Sequence, residues 1–461
     1  MKKLLLLSLF LLSADTFAQQ NSQASKPNVV LIFADDLGYG DLGCFGNPNI
    51  LTPNIDRMSQ NGAKMTSFYV GANVCSPSRA ALMTGRYPVR SGMTGERFRV
   101  LFPFSTNGLP KDEITLPEVL KTVGYSTGMV GKWHMGHLAG HLPTDNGFDS
   151  YYGVPYSNDM GYEDKKGHPY KKMFPPLPMM ENDKVISTNV DQTQMTKDYT
   201  NKALDFIDKN KSKPFFLYYA PNFPHVPLYA GSDFKGKSKR GLYGDVVEEL
   251  DWSVGKILDY LKANNLDKNT LVIFTSDNGP WLTEGIEGGS AGLLRNGKGT
   301  CWEGGMRVPF IAQWNGVIKP SQVITSMAST MDLYTTNNNM AKGSLPTDRA
   351  IDGKDIMPLL TNKTDKVGDE IFFYDAAQLF AVRKGAWKLH LKSTEVGSGD
   401  ITQYALPMLF NLETDPSEKY NVAKENPELV KQLRELAALH QKSVDKKHYI
   451  FDDVNLNNNL K

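Results

Sequence analysis

Cysteine is scarce: there are three in 461 residues, too few for a scaffold built on disulfides. A surplus of one charge is also missing. Lys plus Arg number 51 and Asp plus Glu 50, so the chain has no electrostatic grip for nucleic acid. Beyond the first residues, no segment reaches 18 uninterrupted apolar positions, which excludes a membrane-spanning helix there. There is no internal repeat and no low-complexity stretch longer than Asn457-Asn458-Asn459. What remains is 40% hydrophobic and 22% charged, enough for a sizeable packed core. The length suits one large domain and a smaller one. The 40 Gly and 26 Pro imply many loops, the segments that most often carry function.

The first residues read as an address. Lys2 and Lys3 precede an apolar run from Leu4 to Leu12, followed by Thr16-Phe17-Ala18 and a polar stretch. This is the pattern of a secretory signal with cleavage after Ala18. We therefore expect residues 1–18 to be a signal peptide. Its short Lys-Lys opening is bacterial in style, and the destination is secreted or periplasmic. Cleavage there would leave equal numbers of basic and acidic residues. No Cys sits near the cleavage point to take a lipid anchor.

Residues 28–33, 214–219, 270–275 and 308–314 are short, β-rich apolar runs that read as buried strands. Helical patterns lie between them. Residues 53–62 have Thr52 as N-cap and Pro53 in the first turn. Residues 246–261 carry Val247, Leu250, Val254, Ile257, Leu258 and Leu261 at helical spacing. Strands alternating with helices predict an α/β fold, a sheet with helices on both faces, with ligands at the carboxyl ends of the strands. The tail differs. Residues 379–391 form a hairpin pattern around Lys384-Gly385, 409–412 a further strand, Thr414-Asp415-Pro416 a turn, and 427–441 an amphipathic helix. We expect a catalytic domain over 26–359 and a small α+β subdomain over 360–461.

The chemistry gathers just beyond the predicted strands. Asp35-Asp36 follows the first and Asp277-Asn278 the third. Adjacent carboxylates repel unless a cation or donors hold them, and an Asp, Asp, Asp, Asn set suits a hard divalent cation such as Ca²⁺ or Mg²⁺. Turn formation is the plainer reading of either pair alone. Cys75-Ser76-Pro77-Ser78-Arg79 opens a helix that Gly85 ends. That puts Cys75 at a helix N-terminus, which favours anions and would acidify a thiol. A buried, inert Cys is the alternative. Lys132 and His134 read as anion-binding and proton-transfer groups. With His137 and His141 nearby, the spacing also raises zinc, although the acidic set favours a harder ion, and we assign those two no role. His225 lies between Pro224 and Pro227 after a strand. Lys298 sits in the glycine loop Gly297-Lys298-Gly299, where a solvated surface charge is the plain reading. Cys44 and Cys301 are either a disulfide or two free thiols.

Taken together, these segments resemble the type I sulfatases of the alkaline-phosphatase superfamily. Cys75–Arg79 continuing through Thr84-Gly85-Arg86 is similar to the sulfatase signature, and Gly124–Thr127 through Gly131-Lys132-Trp133-His134 to the second signature. The blocks at Asp35–Asp41, Ser276–Gly279 and Gly297–Thr300 follow in the family's order. The resemblance covers about residues 26–420. Within the family it resembles the arylsulfatase A and N-acetylgalactosamine-6-sulfatase branches, with 240–245 and 349–353 leaning to the latter. It implies an alkaline-phosphatase-like fold, with a large mixed sheet between helices, and a Cys75 oxidised to formylglycine by a maturation enzyme. The resulting aldehyde hydrates to a geminal diol. The resemblance further implies Ca²⁺ at Asp35, Asp36, Asp277 and Asn278, with residue 75 beside it. Arg79 would orient the diol, and Lys132 would bridge it and the sulfate. His134 would take the proton that re-forms the aldehyde, and Asp277 would be the base for the attacking hydroxyl. His225 and Lys298 would contact the sulfate and protonate the leaving oxygen. Ser157 would contact the sulfate.

These roles suit the chemistry. A sulfate ester is an anion that gains oxygen charge during attack, so fixed cations stabilise the transition state. A sugar alkoxide also needs a proton to leave. The expected substrate is sulfated carbohydrate of galactose or N-acetylgalactosamine type. The alternatives are small aryl sulfates, a phosphate or phosphonate ester on the same scaffold, or a non-catalytic glycan binder if Cys75 stays unconverted.

Overall fold

The computed structural model describes residues 26–161, 173–393, 407–445 and 447–456. The expected signal peptide lies outside the described residues. Eleven strands form the main sheet: β1 Asn28–Ala34, β2 Ala63–Tyr69, β3 Ser126–Gly131, β4 Ser150–Gly153, β5 Met179–Glu181, β6 Lys184–Ser187, β7 Phe215–Ala220, β8 Thr270–Ser276, β9 Arg307–Gln313, β10 Gln322–Ile324 and β11 Ala328–Ser329. Their order is β10-β2-β9-β8-β1-β7-β3-β4-β5-β6, with β11 also on β2. The central run β8-β1-β7-β3 is parallel, whereas β9 runs antiparallel to both β2 and β8. The sheet is thus mixed, as the resemblance implied. β1, β7 and β8 are buried along their whole length. That is why they read as continuous apolar runs rather than alternating ones.

Helices Met195–Asn210 and Leu242–Ala263 pack against each other. The second runs from four residues before the predicted start to two beyond the predicted end. The helix predicted over 53–62 is Pro53–Gln60. Thr52 occupies its N-cap position but makes no cap bond. Its hydroxyl donates to Asp56 instead, and the first-turn N–H groups of Asn54 and Ile55 donate to Asp251 on the long helix. A tertiary partner has replaced the local cap.

A second, antiparallel sheet holds β12 Glu370–Asp375, β13 Gln378–Lys384, β14 Trp387–His390 and β15 Met408–Asn411 in that order. The predicted hairpin turn is Gly385-Ala386, with Gly385 at φ +56, a conformation that favours glycine. Helix Pro427–Lys442 lies on this sheet. The chain then returns to the main body. Ile450 and Phe451 donate to the carbonyls of Gly92 and Thr94, and Asp452 accepts from the amides of Glu96, Arg97 and Phe98.

Candidate active site

Strand register builds the site. Ala34 of β1 pairs with Ser276 of β8, so the next residues, Asp35 and Asp277, leave neighbouring strands at the same height. Gly131 of β3 pairs with Ala220 of β7, and the Lys132 amide continues that ladder to the Ala220 carbonyl at 2.8 Å. His225 follows β7. Four parallel strands therefore release their polar residues at one edge, the expected ligand position in such sheets.

Asp36 and His134 both adopt left-handed backbone, at φ 62 and 60. For non-glycine residues this costs about 1–3 kcal/mol and gathers at functional sites. It turns the two side chains of Asp35-Asp36 to different partners. Asp35 accepts from Lys132 Nζ at 2.6 Å and lies 3.3 Å from the Arg79 guanidinium. Asp36 accepts from Asn278 Nδ2 and Lys298 Nζ, each at 2.7 Å, with His225 Nε2 at 3.6 Å. Asp277 accepts from the Asp36 amide at 3.0 Å and from Arg79 at 2.8 Å. Arg79 also donates to the Lys132 carbonyl. Lys132 reaches the Ser157 hydroxyl at 3.2 Å, and that hydroxyl lies 3.4 Å from His225 Nε2.

Cys75 opens the helix Cys75–Thr84, which closes at Gly85 with φ +68. All ten helical residues are buried. The expectation of an acidified thiol is overturned. Burial pushes the Cys75 thiol up, and the carboxylates of Asp277 and Asp35 add to this, outweighing Lys132 and Lys298. The helix terminus cannot offset desolvation of a thiolate surrounded by carboxylates. Cys44, Cys75 and Cys301 are all free thiols, which settles the open disulfide question.

Every residue of the expected site is therefore gathered, Lys298 included, which is half-buried and paired with Asp36 rather than solvated. Burial alone would raise Asp35, but Lys132, His225 and Arg79 hold it below the usual carboxylate range. Burial and the Asp35 charge push Asp277 up. His134 donates from Nε2 to the Leu101 carbonyl at 2.8 Å, since a carbonyl can only accept. Its buried Nδ1 is left without a partner. Burial, then Lys132, holds this imidazole well below its ordinary pKa, so it is neutral. His225 instead donates from Nδ1 to the Val226 carbonyl, leaving Nε2 toward Asp36 and Ser157.

His137 and His141 do not join this cluster. His137 packs edge-on against Tyr156, and His141 Nδ1 meets the Leu109 carbonyl. Among the described residues, the group able to hold a metal is Asp35, Asp36, Cys75 and His225, whose ligand atoms lie within 4.8 Å of one another. Asn278 Oδ1 is buried beside it with no donor. Asp35, Asp36 and Asn278 offer three oxygens beside one sulfur and one ring nitrogen, and carboxylate and amide oxygens suit a hard cation.

The sequence reading passed over several neighbours. The Asp159 carboxyl, two residues past Ser157, feels His225 and Lys132, and its Oδ1 is buried without a partner. Tyr218 places its hydroxyl 3.4 Å from Arg79. The Ser76 hydroxyl takes the Leu101 amide, fixing the carbonyl that holds His134. Trp281 borders both His225 and Lys298. Two of these had a local signal: Ser76 lies in the Cys75–Arg79 run, and Asp159 two residues past Ser157.

The family sequence description Sulfatase matches residues 27–343, and C-terminal region of aryl-sulfatase matches 366–460. The chain belongs to the sulfatase family. It is 39% identical to human (Homo sapiens) arylsulfatase A over 90% of its own length and 88% of that protein's. It is also 39% identical to N-acetylgalactosamine-6-sulfatase of Mus musculus, over 91% and 86% of the two chains. Among solved structures, PsFucS1 sulfatase from Pseudoalteromonas sp. superposes with a TM-score of 0.83 at 29% identity, covering 92% of each chain. Ps i-CgsB in complex with k-i-k-neocarrahexaose gives 0.78 at 33% identity, covering 92% of this chain and 94% of that one. This sulfatase is accordingly a sulfuric ester hydrolase of mixed α/β fold. Among its described residues, no helix is long and apolar enough to cross a membrane.

Proposed function

We propose that this sulfatase is exported, through a signal peptide over residues 1–18, to the periplasm or the exterior of a bacterium. There it removes sulfate from carbohydrate of galactose or N-acetylgalactosamine type. Residues 26–359 form its catalytic domain and 360–461 its C-terminal subdomain. The observation that carries the reading is the charge balance of the site. Asp35, Asp36 and Asp277 are already matched by Arg79, Lys132 and Lys298. A Ca²⁺ held by Asp35, Asp36, Asp277 and Asn278, with residue 75 beside it, would leave the site two charges positive and ready for a sulfate ester. Identity with an N-acetylgalactosamine-6-sulfatase and fold likeness to a protein bound to neocarrahexaose support a sugar as the alcohol part.

A maturation enzyme would oxidise Cys75 to formylglycine, whose hydrate would supply the attacking hydroxyl, and a Ca²⁺ held by Asp35, Asp36, Asp277 and Asn278 would supply Lewis-acid polarisation. The chain's own side chains do the rest. Arg79, immobilised by Asp277 and the Lys132 carbonyl, presents a fixed guanidinium to residue 75. Lys132, Lys298 and Ser157 hold the sulfate oxygens, where charge grows during attack. Asp277, with its raised pKa, is the acceptor for the attacking hydroxyl's proton. His134 keeps a free Nδ1 lone pair through its bond to Leu101, which suits proton acceptance at residue 75. His225, when it carries a second proton at Nε2, delivers that proton to the leaving sugar oxygen, a contribution of roughly 10²–10⁴-fold.

Peptide mass spectrometry across Cys75, on protein co-produced with a maturation enzyme, tests the modification. A panel of defined sulfated mono- and disaccharides tests the substrate. Conversion with desulfation of a galactose-type sugar is the expected outcome. A residue 75 that stays Cys in competent cells refutes the mechanism, and conversion with turnover of aryl sulfates alone refutes the sugar.

A further inference from the structure

Trp281 stands four residues past Asp277, in the loop that leaves β8. Its indole is partly exposed, and among the described residues it packs on none of the hydrophobic clusters. Its neighbours are polar site residues instead. Lys298 Nζ lies 4.2 Å from the centre of a Trp281 ring, and the His225 imidazole 5.3 Å away, tilted by 60°. The backbone here is anchored: the Lys298 and Leu282 amides both donate to the Pro280 carbonyl, and the Glu284 amide to that of Trp281. Just beyond, Leu282 and Ile286 are exposed. Among the described residues, no acceptor takes the Trp281 Nε1–H.

Large aromatic side chains normally repay their exposure by packing into a core, and a Trp N–H normally finds a partner. Trp281 does neither. It stands beside Lys298, which holds the sulfate, and His225, which protonates the leaving oxygen, so whatever alcohol is released at His225 must lie against it. A surface with an apolar ring and one free donor matches a ring that presents both C–H patches and hydroxyls. A simple aryl group would fill the apolar part and leave the donor unused.

We propose that Trp281 is a specificity-determining residue that forms a subsite for the pyranose ring of the leaving sugar, packing on its C–H face and donating from Nε1 to one of its hydroxyls. This rests on the sulfatase reading above and extends it by assigning the residue that recognises the sugar rather than the sulfate. Binding energy of this kind, remote from sulfur, can be used to hold the ester in the reactive position.

The test compares two sulfate esters, a galactopyranose 6-sulfate and the acyclic glycerol 1-sulfate, on the formylglycine-bearing protein and its Trp281→Ala and Trp281→Phe variants. Aromatic packing and a hydrogen bond together predict a loss of about tenfold in kcat/KM for the pyranose with Trp281→Ala. Glycerol sulfate should stay within about threefold, and Trp281→Phe should recover part of the loss by restoring the ring without the donor. Equal losses on both esters would mean that Trp281 only props Lys298 and His225, and would overturn the proposal. So would an unchanged pyranose rate. If the wild-type protein desulfates neither ester, the carbohydrate sulfatase reading has failed, and binding decides about Trp281. In the Cys75→Ala background, the Kd for the pyranose sulfate should rise about tenfold with Trp281→Ala, whereas an unchanged Kd or no binding refutes the subsite.

Discussion

Replacing Lys388 with Met should cost this protein both stability and activity. Lys388 is on β14 and fully buried. Its ammonium donates to the Cys301 carbonyl at 2.8 Å and to Glu303 at 2.9 Å, and it pairs with Glu418 at 3.0 Å. Glu303 keeps Arg307 and the Tyr69 hydroxyl if Lys388 is removed. Among the described residues, the Glu418 carboxylate then keeps the Glu303 amide and His390. Burial holds that His below its ordinary pKa, so it supplies little charge. A pair at this distance gains about 5 kcal/mol at an effective dielectric near 20. Two such pairs, set against several kcal/mol for burying the ammonium, leave a net loss of about 3–5 kcal/mol on breaking the network. The damage should also reach the site, because Lys388 holds the Cys301 carbonyl three residues from Lys298. A shift of about 1 Å at a catalytic group can cost 10²-fold. Urea unfolding followed by circular dichroism measures the first effect, and kcat/KM on a sulfated sugar the second. Lys388→Met paired with Glu418→Gln should recover at least part of the stability, since it removes the stranded carboxylate. A loss under about 1 kcal/mol, or a double variant no better than the single one, would refute this account.

Chelation should abolish turnover and added Ca²⁺ should restore it, because three buried carboxylates and an unpartnered Asn278 oxygen converge there; undiminished activity in chelator would sink the metal site. His225→Ala should lower kcat/KM on sugar sulfates by about 10²–10⁴-fold but affect nitrophenyl sulfate far less, since nitrophenolate leaves without a proton, and equal losses would remove His225 as the acid. Burial raises the Asp41 carboxyl to about 6, against the bonds from Tyr243, Ser290 and Gly38 that lower it. Its folded pKa exceeds its unfolded one, so its stabilisation is full below about 4 and lost as pH rises through 6. Relative to Asp41→Asn, the wild type should lose about 1–2 kcal/mol between pH 5 and pH 8, and a pH-independent difference in unfolding would contradict that burial.

Much of this sulfatase was legible from its sequence, for a local reason. Strands buried on both faces must be short apolar runs, and 28–33, 214–219 and 270–275 each came within two residues of β1, β7 and β8 at either end. The Asp35-Asp36 and Asp277-Asn278 pairs stood out because carboxylates just past buried strands need partners. The helix from Cys75 to Thr84 was framed by Pro77 and Gly85, whose backbone preferences act within a few residues. Its family blocks kept their order along the chain.

Tertiary structure decided the rest, because burial and charge at a point are sums over segments far apart in sequence. A helix N-terminus near Cys75 predicted an acidic thiol, but desolvation and the carboxylates of Asp35 and Asp277 reversed the sign. Lys298 looked like a solvated loop charge until Asp36, 262 positions away, gave it a buried partner. Local spacing grouped His134, His137 and His141, yet the fold sent only His134 to the site. The alignment of Asp35 with Asp277 depends on a parallel register between β1 and β8, which no local pattern encodes. The same holds for the bare indole of Trp281 beside His225 and Lys298, since a residue's lack of core contacts exists only once the core has formed.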